Sequence, residues 1–579
     1  MDTSMRTTPE KTGFPKQKEG VGTAFSPLSK VWFTLSQGAV SEIYHPNLST
    51  PVQSRLELSV SDGQGRCYRE SLDMTHRLEH PDEHALTYRQ VNGDPAGCFR
   101  LSKISFTDPS RQCFILHGRL ETQQGSPTDY RLNFRWEPWT GGKHRHHIRL
   151  LEEGGDRFLC AENGEKAAVL AASCGMEQPV LLLDDGKQQP VTSTVVEGSV
   201  LSGSLPIPAD GGFQMVIGFG STAEEAEKEV RESLERPWEE IYENYRKEWQ
   251  SYCKRLNSLE GWAPSLYYAS LMMLKAMEDK EKPGAFAPGL SHPLRFSAES
   301  LCQFATAFWG AGEHRSPKQA FRLLKGIQRK DGGIPRSFSL EEGSSSPSCP
   351  TQTAYTLLLA WQLEEVRSFR RMIVPAAEFL KANGNPRTIA PQEAAVRIAA
   401  LICAADLAGT AGEAAHSTAW QETADRWKEE NLPSSTAGTS DWLTWVRLGL
   451  SAATHPQILT AAALFDRDRR QETAYGPFWT ASPLNESGKN PLLSVRSVAE
   501  RGHYELQSGR DPSSYLTALE QAAGGEQMLS TFLTATGEKA GQSPDPLSHA
   551  EYVRLLVSQT WGSPCDLPLP AAKRYSNSG

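Results

Sequence analysis

Residues 265–293 read SLYYASLMMLKAMEDKEKPGAFAPGLSHP. Leu266, Ser270, Leu271, Leu274 and Met277 recur on one helix face, and Glu278, Asp279 and Lys280 follow as a wet end. Pro283-Gly284 then stops the helix, and Pro288, Gly289 and Pro293 keep the following residues irregular. A helix that delivers a Gly/Pro-rich loop suits a helical barrel, where such loops build one wall of a pocket.

Downstream, helical patterns dominate from Ala263 to about Trp561. They fall in twelve segments: 265–279, 299–312, 316–330, 351–366, 370–383, 391–409, 414–430, 440–452, 456–468, 494–507, 512–522 and 548–560. Twelve suits an (α/α)6 barrel of six inner and six outer helices. Upstream the rhythm is different. From Gly20 to about Gly220, stretches such as RLELSVSDGQGRCYRE and CFRLSKISFTD alternate apolar with polar residues, with turn residues every ten or so positions. That is the pattern of an antiparallel β-sandwich. Between the two, Thr222 with Glu225 forms a capping box. Trp238, Tyr242, Tyr245, Trp249, Tyr252 and Leu256 then make one aromatic stripe, expected to serve packing rather than sugar stacking. The expected organisation is a tail over 1–19, a sandwich over 20–220, a helical linker over 221–260, a barrel over 261–565 and a second tail over 566–579.

The wording of these stretches resembles the bacterial glucoamylases and glucodextranases, the family 15 glycoside hydrolases. Residues 265–293 resemble the opening of their catalytic domain. GVGTAFSPLSKVWFTLSQGAVSEIYHP (20–46) is similar to the start of their amino-terminal sandwich, which puts Trp32, Glu42 and Tyr44 where the family has wall residues or interface plugs. AFRLLKGIQRKDGGIPRSF (320–338) resembles a family turn.

For an inverting hydrolase the resemblance implies two carboxyl groups about 6.5–9.5 Å apart, one protonating the leaving oxygen and one activating water. It also implies an Arg–Asp pair that grips the terminal sugar. At the gripping phrase this chain has Ser297, Glu299 and Ser300, and a carboxylate does not replace a guanidinium fork. The acidic loop that should carry the general acid is shortened to Asn385–Thr388, including Arg387. Thr531 stands where the general base belongs, and an unassisted hydroxyl is no base at neutral pH. Three departures on three chemical parts point to a barrel that no longer hydrolyses in the family's way. Its expected role is to bind or regulate through an oligosaccharide or α-glucan groove, or through a protein partner. The alternatives are an active exo-acting α-glucosidase using relocated carboxylates, Glu299 with Glu393 or Glu538, and a pure interaction scaffold. Whether it is an enzyme is left open.

Trp309 and Trp479 are the candidate sugar-stacking rings, and Asp331 of the Asp-Gly-Gly turn is a further candidate for facing a pocket. The His144, His146, His147 cluster is interleaved with positive charge and closed by no carboxylate, so no metal site is expected. Gly289–Pro293 lacks the second glycine and the preceding strand of a nucleophile elbow, and Gly218-Phe-Gly220 is no phosphate loop. No cofactor is implied. The net charge of −9 gives no electrostatic reason to bind nucleic acid, and no apolar run is long enough for a membrane span. The first twenty residues lack an apolar signal core and the ten cysteines are scattered, so a reducing cytoplasm is expected.

Overall fold

The computed structural model describes residues 17–138, 146–153, 155–183, 187–259, 265–290, 293–341, 343–385, 389–431, 439–483 and 491–576. The chain divides into two compact units, Met1–Cys253 and Lys254–Gly579.

The first unit is a β-sandwich of two nine-stranded antiparallel sheets. One is centred on Pro51–Ser61 paired with Arg131–Pro138, the other on Phe99–Thr107, Cys113–Thr122 and Gly212–Gly220. Alternation in Phe99–Thr107 turns Phe99 and Leu101 inward and Arg100 outward, as period-2 patterning requires. Trp32, Glu42 and Tyr44 are all buried within this unit. Thr34 donates its hydroxyl to Glu42 Oε2 at 2.6 Å, and Lys18 pairs with the other carboxylate oxygen.

Helix α1 (Ala223–Leu234) starts at Thr222, whose hydroxyl accepts from the Glu225 amide at 3.2 Å as the capping motif predicts. It packs on Gly212–Gly220 and Ala167–Ala172. Helix α2 (Trp238–Cys253) spends its aromatic stripe on the same sandwich. Trp238 stacks on His117, Tyr245 donates to the Leu86 carbonyl at 2.6 Å, and Trp249 donates to the Thr23 carbonyl at 3.1 Å. His146 and His147 lie on one strand with opposite exposure, and His144 lies outside the described residues. Among the described residues no three His, Cys, Asp or Glu side chains converge as metal ligands.

The second unit is helical. Its helices are α3 (Ser265–Ala276), α4 (Ala298–Gly310), α5 (Arg315–Ile327), α6 (Pro350–Gln362), α7 (Val374–Asn383), α8 (Pro391–Thr410), α9 (Ala414–Glu430), α10 (Asp441–Arg447), α11 (Pro456–Arg469), α12 (Val495–Gln507), α13 (Ser513–Ala523), α14 (Pro546–Trp561) and α15 (Leu569–Tyr575). Helix α4 packs on α6, α6 on α8, α8 on α10, α10 on α12, α12 on α14, and α14 returns to α4. Each of these six also carries a neighbour: α5 on α4, α7 on α6, α9 on α8, α11 on α10, α13 on α12 and α3 on α14. No described helix is long and apolar enough to cross a membrane.

Two features depart from the sequence reading. Glu278 and Asp279 are buried rather than wet. Their carboxylates accept from the amides of Gly284, Glu281 and Lys282 at 2.7–2.9 Å, and so pin the Gly/Pro loop to the end of α3. The second is a five-stranded antiparallel sheet built from Arg470–Thr473, Gly476–Thr480, Leu493–Ser494, Phe532–Leu533 and Lys539–Ala540, which the helical reading missed. Its strands are mostly two residues long, too short to show any periodicity.

Candidate functional site

The N-terminal ends of α4, α6 and α8 meet. Ser297 is the N-cap of α4, its hydroxyl accepting from the Ser300 amide at 3.2 Å. The residues expected at the sugar-gripping phrase are used as a helix start, with Glu299 in the first turn where its charge suits the helix dipole. The Glu299 amide donates to Gln352 Oε1 at 2.9 Å, and Tyr355 donates its hydroxyl to Glu299 Oε1 at 3.3 Å. Burial pushes the Glu299 carboxyl above its ordinary range, and the Glu393 charge adds to that, while Tyr355, Gln352 and Arg496 pull the other way.

Glu393 lies in the first turn of α8, half-exposed at 46%. Its Oε2 accepts from Thr351 at 2.5 Å and from Arg397 Nη2 at 3.1 Å, and Arg397 also reaches Thr351 and the Gly384 carbonyl. Both candidate carboxylates are thus held by side chains of α6, Glu299 by Tyr355 and Glu393 by Thr351. Of the shortened loop, Asn385 is exposed; Pro386, Arg387 and Thr388 lie outside the described residues.

Thr531 directly precedes the Phe532–Leu533 strand. Its amide donates to the Gln542 carbonyl at 2.9 Å, and its hydroxyl contacts the same oxygen at 3.4 Å. Gln542 Nε2 in turn donates to the Pro288 carbonyl at 3.2 Å, tying this segment to the opening Gly/Pro loop. At Gly289 a Cβ would come 2.3–2.6 Å from the Gln542 amide, so glycine is what allows the approach. Beneath it His549 is buried and neutral, its pKa lowered to about 3 by desolvation. Its Nε2 accepts from the Leu529 amide at 3.0 Å, which leaves Nδ1–H to donate to Ser270 on α3 at 2.8 Å. Glu526 is paired with Lys539 at 3.1 Å, and Glu538 sits exposed on a turn.

The remaining candidates separate. Trp479 is fully buried, donates Nε1–H to Asp466 at 2.9 Å, and is flanked by Phe465 and Tyr515 in near-parallel stacks. It is a core ring with no face left for a sugar. Trp309 is half-buried near the C-terminal end of α4, edge-on to His314. Asp331 is exposed, and its Oδ1 accepts from the Gly333 amide and the Ser348 hydroxyl at 2.9 and 3.1 Å, so it closes a turn. Of the Gly289–Pro293 stretch, Ser291 and His292 lie outside the described residues.

Sequence reading missed a second cluster among the ring helices. Arg447 (α10) donates to Glu551 (α14) at 2.8 Å and to Asp566 at 2.9 Å; Arg554 (α14) donates to Glu551 at 2.6 Å and also pairs with Asp566. The four buried groups close a neutral square. The arginines hold Glu551 down at about 2 and Asp566 well below the usual carboxylate range. Glu500 (α12) stands beside the square, its carboxyl raised to about 7, first by burial and then by the Glu551 charge. No sequence signal marks these residues, because they come from α10, α12, α14 and the turn after α14, far apart in the chain.

The fold, a β-sandwich and a helical unit, is similar to that of solved glycosidases. An inverting mannosidase of family GH92 from Bacteroides thetaiotaomicron shares the fold at TM-score 0.50 and 11% identity, over 93% of this chain and 83% of that one. Residues 11–254 match the family described as glucodextranase, domain N. A glucoamylase from Clostridium sp. (strain G0005) is 28% identical over 660 residues, spanning 98% of this chain and 93% of that protein. The crystal structure of a bacterial glucoamylase complexed with acarbose superposes at TM-score 0.89 with 26% identity, over 99% of this chain and 98% of that one. The chain is similar to glucoamylases over its whole length.

Proposed function

We propose that this glucoamylase-like protein has lost the family's hydrolytic chemistry and acts by binding α-glucans or oligosaccharides, with residues 20–220 a sandwich domain and 261–565 an (α/α)6 barrel. The closed succession α4–α6–α8–α10–α12–α14, each with one further helix, supports the barrel. The observation that carries the loss of chemistry is the engagement of the catalytic positions in the protein's own framework. Glu299, expected at the arginine position, accepts from Tyr355 in the first turn of α4, and Thr531, expected at the base position, is bound to Gln542, so neither offers a guanidinium or a base to a sugar. The acarbose complex of the similar glucoamylase supports the ligand class.

Titration calorimetry with maltose, isomaltose and longer malto- and isomalto-oligosaccharides, run beside a glucose-release assay, tests this. Saturable binding without glucose is the expected outcome. A second reading, a working hydrolase with relocated carboxylates, is favoured by one feature: burial raises the Glu299 carboxyl, as a general acid requires. Glucose release that disappears in Glu299→Gln or Glu393→Gln would establish that reading and end the first. Neither binding nor release would leave the interaction scaffold.

A further inference from the structure

The N-terminal end of α12 brings a cation to the carboxylates of the candidate site. Arg496 stands in the first turn of α12 with its side chain 40% exposed, and its Nε lies 4.0 Å from Oδ2 of Asp545, the N-cap of α14. It makes no hydrogen bond to any described residue. Arg397 on α8 behaves differently: 7% exposed, it donates to Thr351, Glu393 and the Gly384 carbonyl. A guanidinium is a planar fork of donors with no acceptor, so Arg496 presents an open fork at the helix ends. The α12 dipole opposes a cation in the first turn, so the surrounding carboxylates are what hold it there.

Backbone hydrogen bonds fix both partners beside Thr531. The Val495 amide donates to the Thr531 carbonyl at 3.2 Å, and the Asp545 amide donates to the Leu529 carbonyl at 2.8 Å. Asp545 is buried, and its Oδ2 accepts from the Ser548 amide at 3.2 Å and from the Ser548 hydroxyl at 2.6 Å, so the carboxylate is held in place by its own helix. Glu299 of α4 lies within reach of the same charge. Burial raises the carboxyls of Glu299 and Asp545, and Arg496 is among the groups that pull both back.

One open donor fork is thus bordered by carboxylate acceptors from α4 and α14. An anion meets Glu299 and Asp545, and a cation meets the guanidinium. A neutral polyol suits both, because each hydroxyl accepts one hydrogen bond and donates another. Two neighbouring hydroxyls match a guanidinium fork as they match no single point charge.

We propose that Arg496, aimed by Asp545, grips neighbouring hydroxyl groups of the bound sugar and is a specificity-determining residue of the candidate site. The inference rests on the glucan-binding reading and names the residues that hold the sugar. The sequence resemblance put such a grip elsewhere, at Ser297–Ser300.

The test is titration calorimetry of the full-length protein with maltose and with isomaltose, comparing wild type with Arg496→Met, Arg496→Lys and Asp545→Asn. Asparagine keeps an α14 cap and removes the charge. Arg496→Met is expected to weaken binding of the disaccharide that wild type binds by roughly ten- to a hundredfold, the range for lost charge-assisted hydrogen bonds. Lysine, a point charge without the fork, should recover only part of that. Asp545→Asn should weaken binding by roughly threefold alone, as for a loose exposed pair. In the Arg496→Met background it should change nothing further, which separates aiming of the arginine from a general loss of structure. A folded Arg496→Met protein that binds as tightly as wild type would overturn the grip and leave glucan binding standing. Should that variant fail to fold, Arg496→Lys decides, and wild-type affinity in it would overturn the grip as well. If wild type binds neither these disaccharides nor longer oligosaccharides, the reading beneath the inference fails, and the grip fails with it.

Discussion

Two groups of charge in the helical unit obey opposite rules. At the N-terminal ends of α4, α6 and α8, single carboxylates are held one at a time by hydroxyls, an amide and one arginine. Within the ring, two arginines and two acids neutralise one another, and a fifth group, Glu500, is left over. The first arrangement is open enough that losing one partner lets water replace it. The second is closed, so losing one partner strands charges out of reach of water. The contrast shows where electrostatics is closed to solvent and where it is open to it.

The sharpest way to break the contrast is to open the square. Arg447→Met is expected to cost about 3–5 kcal/mol, since it leaves Glu551 and Asp566 sharing one arginine in a buried site. Urea unfolding at pH 7 measures it. The same square predicts acid lability. Glu551 is depressed to about 2 in the folded state, so its contribution is fully present above the unfolded carboxylate value near pH 4.5. It is lost as pH falls from there toward 2. A melting temperature that held constant over that interval would contradict the square's role.

Glu500→Gln should have the opposite sign. Its folded pKa of about 7 lies above the ordinary 4.5, so ionisation penalises the folded state as pH rises between those values. The variant is expected to gain roughly 3 kcal/mol over wild type at pH 8, at about 1.4 kcal/mol per unit, and nothing at pH 4. Paired unfolding curves at the two pH values decide it, and an equal effect at both would mean that Glu500 is already neutralised by a partner.

At the helix ends the effects should be smaller. Ser297→Ala removes the α4 cap and is expected to cost about 1 kcal/mol, with no dependence on pH between 5 and 8. A loss of several kcal/mol there would show that the open cluster is as coupled as the closed one.

Twelve of the helices were legible because each has its own periodicity and its own stop; the short α15 (Leu569–Tyr575) falls in the stretch read as a tail. The pattern at 391–409 became Pro391–Thr410, and that at 414–430 became Ala414–Glu430. Alternation likewise announced the sandwich, and the family phrases announced the glucoamylase likeness that both comparisons along the full chain support. The departures proposed at Glu299, Ser300 and Thr531 rest on identities at positions, and identity is what a sequence records.

Placement is not. Trp479 reads as a candidate stacking ring until Phe465 and Tyr515 close on it, and Glu278 and Asp279 read as solvated until the Gly/Pro loop folds back onto their carboxylates. The square and Glu500 join α10, α12, α14 and the segment after α14, from Arg447 to Asp566. Local residue pattern alone determined which elements form and which family they resemble, because helix and strand periodicities act over a few residues. Only the tertiary structure decided which charges meet and which are left without a partner, because burial and Coulomb interaction depend on distances that closure of the ring sets.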